Sequence, residues 1–154
     1  MKKKKVATAA VAQPVADDVR AEWQQLKGDV TLYMTNDMGR NGYYDQKPIA
    51  ELMGEMAGVV DPECVFAAGD IHHFNGVASL QDPLWMTNYE LVYSHPDLML
   101  DWFPVCGNHE YRGNTQAFMD YGKVSRRCSI QHRSSTLIVR IRASIQTLAS
   151  RTPA

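Results

Sequence analysis

The chain has 154 residues, of which 45% are hydrophobic and 21% charged, with a formal net charge of −1. That length accommodates one domain with a moderate core, and the ordinary composition excludes a collagen-like or wholly disordered chain. The near-neutral charge offers no reason to expect nucleic acid or an anionic membrane as partner, and no run approaches the ~20 apolar residues of a membrane span.

The chain opens with Lys2–Lys5, followed by Val6-Ala7-Thr8-Ala9-Ala10-Val11-Ala12. A basic start and an Ala-x-Ala-like end have the layout of an export signal, which implies a periplasmic or exported location. An unstructured basic leader fits the same residues, because the apolar stretch is short and broken by Thr8. Asp17–Lys27 reads as a helix or linker ended by Gly28. Val30–Thr35 is a β-rich run, and residues 36–44 form a loop with two glycines. Lys47–Gly58 is the clearest helix: Pro48 suits its first turn, Gly58 its C-terminal cap, and Ile49, Leu52, Met53 and Met56 fall at i, i+3, i+4 and i+7 as its inner face. Glu51 and Glu55 are then its solvated side.

Cys64–Ala68 is a second strand, followed by the loop Gly69–Gln81. A helix from about Pro83 to Ser94 places Trp85, Tyr89, Val92 and Tyr93 on one face, and Pro96 ends it. Trp102–Cys106 is a third strand, and a short helix is expected near Thr115–Tyr121. Strands alternating with helical crossovers imply an α/β class with a parallel β-α-β-α-β layer. Of the three cysteines, Cys64 and Cys106 fall in strands expected to be buried and reduced. Cys128 opens a stretch of different composition, and there is no C-x-x-C spacing.

All 17 acidic residues lie at or before Asp120. Residues 1–127 carry 12 basic and 17 acidic side chains, a net of −5, whereas residues 128–154 carry four Arg and no Asp, Glu, Lys or Gly. The segment Leu137–Arg142 is strand-like, but no turn or cap signals surround it. The expected organisation is a leader and linker over 1–28, a folded segment over 29–127, and a tail over 128–154 that reads as frameshifted or disordered.

Three polar motifs follow the three strands: Asp37-Met38-Gly39, Gly69-Asp70-Ile71-His72-His73 and Gly107-Asn108-His109-Glu110. In an open parallel sheet, ligands bind beyond the carboxyl ends of the strands. Taken singly, each residue has an ordinary explanation. Asp37 or Asn108 can cap a turn, and His72-His73 can be hydrogen-bonded surface histidines. Together, an Asp, an Asp, a His, an Asn and a His at one sheet edge read as a metal-centred hydrolytic site. A bridging carboxylate, neutral N and O ligands and a histidine for the leaving group are what two-ion phosphoryl transfer needs. A nucleotide-binding module is disfavoured, since Gly39-Arg40-Asn41-Gly42 is not a glycine-rich phosphate loop.

These motifs resemble the calcineurin-like metallophosphoesterases, specifically the tartrate-resistant, purple-acid-phosphatase-like branch. The layout of Gly69–Val77, Asp82-Pro83 and Gly107–Asn114 carries the likeness, which covers roughly Asp29 to Arg127. The resemblance implies the first β-α-β-α-β layer of an α/β/β/α sandwich, a partial metallophosphoesterase fold. It also implies a metal-dependent phosphoric ester hydrolase of the acid phosphatase type, acting on a small phosphate ester or phosphoprotein with two divalent or trivalent ions (Fe, Zn, Mn or Mg).

By the same resemblance, Asp37 binds the first metal, Asp70 bridges, Asn108 binds the second, and His109 stabilises the phosphoryl group or protonates the leaving oxygen. Where many metallophosphoesterases have a His two residues after the first Asp, this chain has Gly39. Where the purple branch has a Tyr three residues after the bridging Asp, it has His73. His73 is therefore expected on the first metal without the phenolate that colours the purple enzymes, and His72 behind it. The family's later His and Gly-His-x-His motifs have no counterpart, since His132 is the only later histidine. A second reading is thus a truncated, catalytically inactive metallophosphatase fragment.

Overall fold

A computed structural model describes residues 15–130. The leader over 1–13, His132 and the strand-like segment Leu137–Arg142 lie outside the described residues. The order is α1 (Asp17–Gln24), β1 (Leu32–Thr35), α2 (Gln46–Val60), β2 (Cys64–Ala67), a π-helical turn (Trp85–Glu90), a 3-10 turn (Pro96–Leu98), β3 (Asp101–Pro104), a 3-10 turn (Glu110–Arg112) and α3 (Thr115–Tyr121). The strands form one parallel sheet in the order β1-β2-β3, as the alternation of strand and crossover implies.

Register fixes which residues share a face. Tyr33, Val65 and Trp102 align across the sheet and enter the core beside Ala67, Tyr89, Leu98 and Phe118. The alternate positions face away: Met34, Phe66 and Phe103 align, Leu32 and Met34 are exposed, Phe66 and Phe103 are half-buried, and the two Phe rings lie 5.7 Å apart. One face is therefore packed under helices, while the other remains an apolar surface of the kind that a second layer covers.

The inner face of α2 differs from the expected one. Ile49 and Leu52 are exposed at 58% and 50%, whereas Ala50, Gly54, Ala57 and Val60 are buried. The reason is closeness of approach. A Cβ on Gly54 would lie 2.2 Å from His95 Cγ, and one on Gly58 would lie 2.8 Å from Asp97 Oδ2. A stripe of small residues lets the helix settle against the turn at Pro96–Leu98, and that contact outweighs the larger side chains one-third of a turn away. Nor does Gly58 end the helix. It continues to Val60 and terminates on Asp61, which is left-handed (φ 55°) and donates its N–H to Ala57 O. Glu55 is not simply solvated, because it pairs with Arg20 of α1 at 2.7 Å.

Between β2 and β3 the expected helix is a π-helical turn, yet its inner residues are as read: Trp85, Tyr89, Val92 and Tyr93 are all buried. Trp85 stacks on Tyr121 of α3 at 3.6 Å with the rings nearly parallel. The carbonyls of this turn are gathered by buried Arg127. Its guanidinium donates to Tyr89 O, Glu90 O, Tyr93 O and Leu98 O and pairs with Glu90 Oε2 at 3.1 Å. Its charge also sits 4.4 Å over the Tyr89 ring. Packing continues past the change in composition: Cys128 is buried and pairs in parallel with Trp102, and Ser129 N–H donates to Trp102 O.

The reversal of the α2 face is testable by urea unfolding. Gly54→Leu is expected to destabilise by ~1–3 kcal/mol through overpacking against His95, whereas Leu52→Ser is expected to change stability by no more than about 0.5 kcal/mol.

Candidate metal centre

The three loops leaving β1, β2 and β3 meet backbone to backbone. Asp37 and Asp70, each two or three residues past its strand, are both left-handed (φ 51° and 54°), and Gly69 between β2 and Asp70 has φ 93°. Asp tolerates this region better than most residues. The turns are laced together: Asp37 N–H donates to Gly69 O (3.2 Å), and Gly39 N–H to Asp70 O (3.5 Å). Glycine is needed at the crossings. A Cβ on Gly39 would lie 1.9 Å from Ile71 O, and one on Gly107 would lie 2.3 Å from Asp70 Oδ1. The imidazole that many metallophosphoesterases carry at the place of Gly39 therefore has no room in this loop arrangement.

Glu110, at 1% exposure, locks the junction. One carboxylate oxygen accepts the N–H of Asp70 (2.9 Å) and of Gly107 (2.7 Å), and the other accepts that of His72 (2.9 Å). A buried carboxylate is costly unless hydrogen-bonded, and here three backbone donors satisfy it. The sequence reading placed Glu110 in a motif but gave it no role. The signal was an acid directly after Asn108-His109 with no solvated helix face to occupy.

Asp70, His73 and His109 are brought together: one ligand atom from each lies within 4.8 Å of the others. His109 N–H donates to Asp70 Oδ1 (2.9 Å), which holds that carboxylate in place. The ring Nδ1 of His109 lies 2.6 Å from Phe74 O. A carbonyl only accepts, so at this distance Nδ1 donates its N–H to Phe74 O, a closer contact than that of Arg112 Nη1 with the same nitrogen at 3.4 Å. The His73 and His109 rings are 4.1 Å apart. Asp37 approaches from the other side, its Oδ1 at 3.6 Å from His73 Nε2, and Asn36 Nδ2 steadies its second oxygen at 2.9 Å. Asn108 is exposed on the loop between Gly107 and His109.

Burial, reinforced by the charges of Arg40 and His109, pushes His73 below the usual histidine range, so the ring is neutral at physiological pH. Its buried Nδ1 has no hydrogen-bond partner among the described residues. A carboxylate with two imidazoles suits borderline divalent cations, so these side chains fit a metal ion. His72 points elsewhere: it is fully buried and edge-on to Trp85 at 4.4 Å, with Asn88 Nδ2 3.3 Å from its Nδ1. A cavity of about 190 Å³, lined in part by Asp37, Arg40, Tyr44 and Ile49, opens beside the first loop.

Comparison with known proteins follows the same residues. No protein-family model matches the sequence. Purple acid phosphatase 3 of Arabidopsis thaliana is 39% identical over 90 residues, which are 58% of this chain and 25% of that protein. Over that stretch the chain is a homologue of the purple acid phosphatases. Tartrate-resistant acid phosphatase type 5 of Oryctolagus cuniculus is 32% identical over 79 residues, covering 51% of this chain and 24% of that one. A solved structure, GAP50, the anchor in the inner membrane complex of Plasmodium, superposes with a TM-score of 0.56 at 25% identity, covering 61% of this chain and 30% of its own. The α/β fold is thus of the phosphatase type. The chain spans about a quarter of the length of the purple acid phosphatases that it matches. Among the described residues, no helix is long and apolar enough to cross a membrane.

Two outcomes are expected of the metal-free protein. Glu110→Gln retains one accepting oxygen for three N–H groups and should lose ~1–3 kcal/mol in urea unfolding for each donor left unpaired. Burial pushes His72 down to about 4 from its ordinary 6.5. The unfolded chain therefore binds its proton first, and the stability held above pH 6.5 drains away as pH falls towards 4, by on the order of 3 kcal/mol. His72→Phe should flatten that part of the stability profile relative to wild type.

Proposed function

We propose that the chain carries part of a metal-dependent phosphoric ester hydrolase of the acid phosphatase type. The observation that supports this best is the convergence of Asp70, His73 and His109 within 4.8 Å. They meet at the carboxyl edge of the sheet, in a chain of which 90 residues match a purple acid phosphatase. The proposed ligands are Asp37, Asp70, His73 and Asn108, with Asp70 bridging two ions. Bound divalent or trivalent ions would supply an activated water and neutralise charge on the phosphoryl oxygens.

The chain's own residues prepare that chemistry. Glu110 fixes the peptide that presents Asp70, so the carboxylate needs no reorganisation. The neutral imidazole of His73 occupies the place of the purple branch's tyrosine. His109 is held through Nδ1 by Phe74 O, which leaves Nε2 as the atom that faces substrate. When protonated there, it donates to the departing oxygen as general acid. The open sheet edge suits a small phosphate ester or a phosphoprotein side chain. An exported location follows if the basic leader acts as a signal.

A second reading, a fragment without turnover, is favoured by one observation: the chain spans only about a quarter of the relatives' length. Hydrolysis of an aryl phosphate by the metal-reconstituted chain separates the two. The hydrolase reading expects turnover that falls by at least ~100-fold in Asp70→Asn and in His109→Ala. Absence of turnover with any of iron, zinc, manganese or magnesium leaves the fragment reading. The iron-loaded protein is expected to be colourless, and a visible phenolate-to-iron absorption band would overturn the assignment of His73.

A further inference from the structure

A buried polar cluster packs against the first metal-centre loop and His72. Asn88 is 0% exposed, His72 0% and Gln46 4%. Three successive backbone N–H groups of the first loop end on the two amides: Arg40 and Gly42 donate to Gln46 Oε1 (3.1 and 2.7 Å), and Asn41 donates to Asn88 Oδ1 (2.6 Å). Gln46 Nε2 in turn donates to Asn88 O at 2.9 Å. Because Asn88 Oδ1 is taken by Asn41, its Nδ2 is the atom facing His72 Nδ1, at 3.3 Å. A lighter tie sits outside: Thr87 hydroxyl donates to Asn41 Oδ1 at 2.6 Å.

Buried amides are expensive unless satisfied, and an apolar core would have served packing alone. What these amides join is specific. On one side is the loop bearing Asp37, three residues before Arg40. On the other is His72, whose neighbour His73 stands 3.6 Å from Asp37. The backbone lacing at Gly39 and Gly69 joins the same loops directly; Asn88 and Gln46 join them a second time.

We propose that Asn88 and Gln46 are positioning residues for the metal centre, acting through the 40–42 backbone and His72 to set the separation of Asp37 from His73. This rests on the reading of Asp37 and His73 as ligands. Hydrogen-bonded residues behind metal ligands typically govern ~10–100-fold in metal affinity, and that is the scale expected here.

The test is zinc titration of the full chain by calorimetry, with the melting temperature recorded for each variant. Asn88→Ala is expected to weaken zinc binding by ~10-fold or more. Tyr121→Phe, which removes a hydrogen bond to Glu90 in the core, is the control that lowers stability without loosening these loops and should leave affinity unchanged. If Asn88→Ala does not fold, Thr87→Val carries the test. It removes the outer tie, together with the hydroxyl's longer contact with Pro83 O at 3.3 Å, and should weaken zinc binding by about threefold, the scale of one lost hydrogen bond. Zinc affinity in Asn88→Ala, or in Thr87→Val, equal to that of Tyr121→Phe would overturn the positioning role while leaving the metal centre intact. A wild-type chain that binds no zinc would overturn the metal centre itself and this inference with it.

Discussion

The carboxylate of Glu110 is the constraint on which the rest of the site depends. Among the described residues it has no cationic partner and is satisfied instead by three peptide N–H groups from two separate loops. Such a group acts as a template. Each donor must arrive at hydrogen-bond distance or an ion is left short of partners inside the fold, an error that costs several kcal/mol. The left-handed turn at Asp70, the tight passage at Gly107 and the entry to the His72-His73 pair are therefore settled together. The donor cluster is a consequence of that agreement rather than of metal binding.

Legibility from the sequence followed the range of the interaction. The three strands, the parallel layer and the short helix at Thr115–Tyr121 were readable, because runs of β-formers and the helical stretches between them are local signals; the structure adds that Asn114 caps that helix by accepting the N–H of Ala117. The motifs after the strands were readable because Asp, Asn and His in that order have few structural reasons to recur at one edge. What failed was the orientation of α2. Periodicity ranked Ile49 and Leu52 above Ala50, Gly54 and Ala57 by size, whereas the contact is set by how near the helix backbone can come to the His95 side chain. Gly107 is only three residues from Glu110, but the other partners of that carboxylate, Asp70 and His72, and the links among Asn41, Gln46, Asn88 and His72 span between 16 and 47 residues of sequence. No local pattern announces them.

The sheet has an unequal pair of faces, and this bears on stability. The inner face joins Trp102, Val65 and Tyr33 to a well-packed aromatic core in which Trp85, Tyr121 and Phe118 interlock. The outer face leaves Met34 at 74% exposure, surface that contributes nothing to folding in this chain and is a liability for association. Arg127 partly offsets this. By collecting four backbone carbonyls at once, it fastens the segment after α3 onto the turn that precedes β3.

The glycine crossings carry a last consequence. At Gly39, Gly69 and Gly107 the loops are separated by little more than the thickness of the main chain. The spacing between Asp37, Asp70 and His109 is thus measured by a ruler of peptide groups rather than by the fill of side chains around them. A ruler of that kind does not stretch when the neighbouring core is repacked. The outer helices and the exposed sheet can change in sequence while the ligand spacing stays the same, and changes at the crossings, or at the amides of Gln46 and Asn88 that tie the first loop, would rescale it.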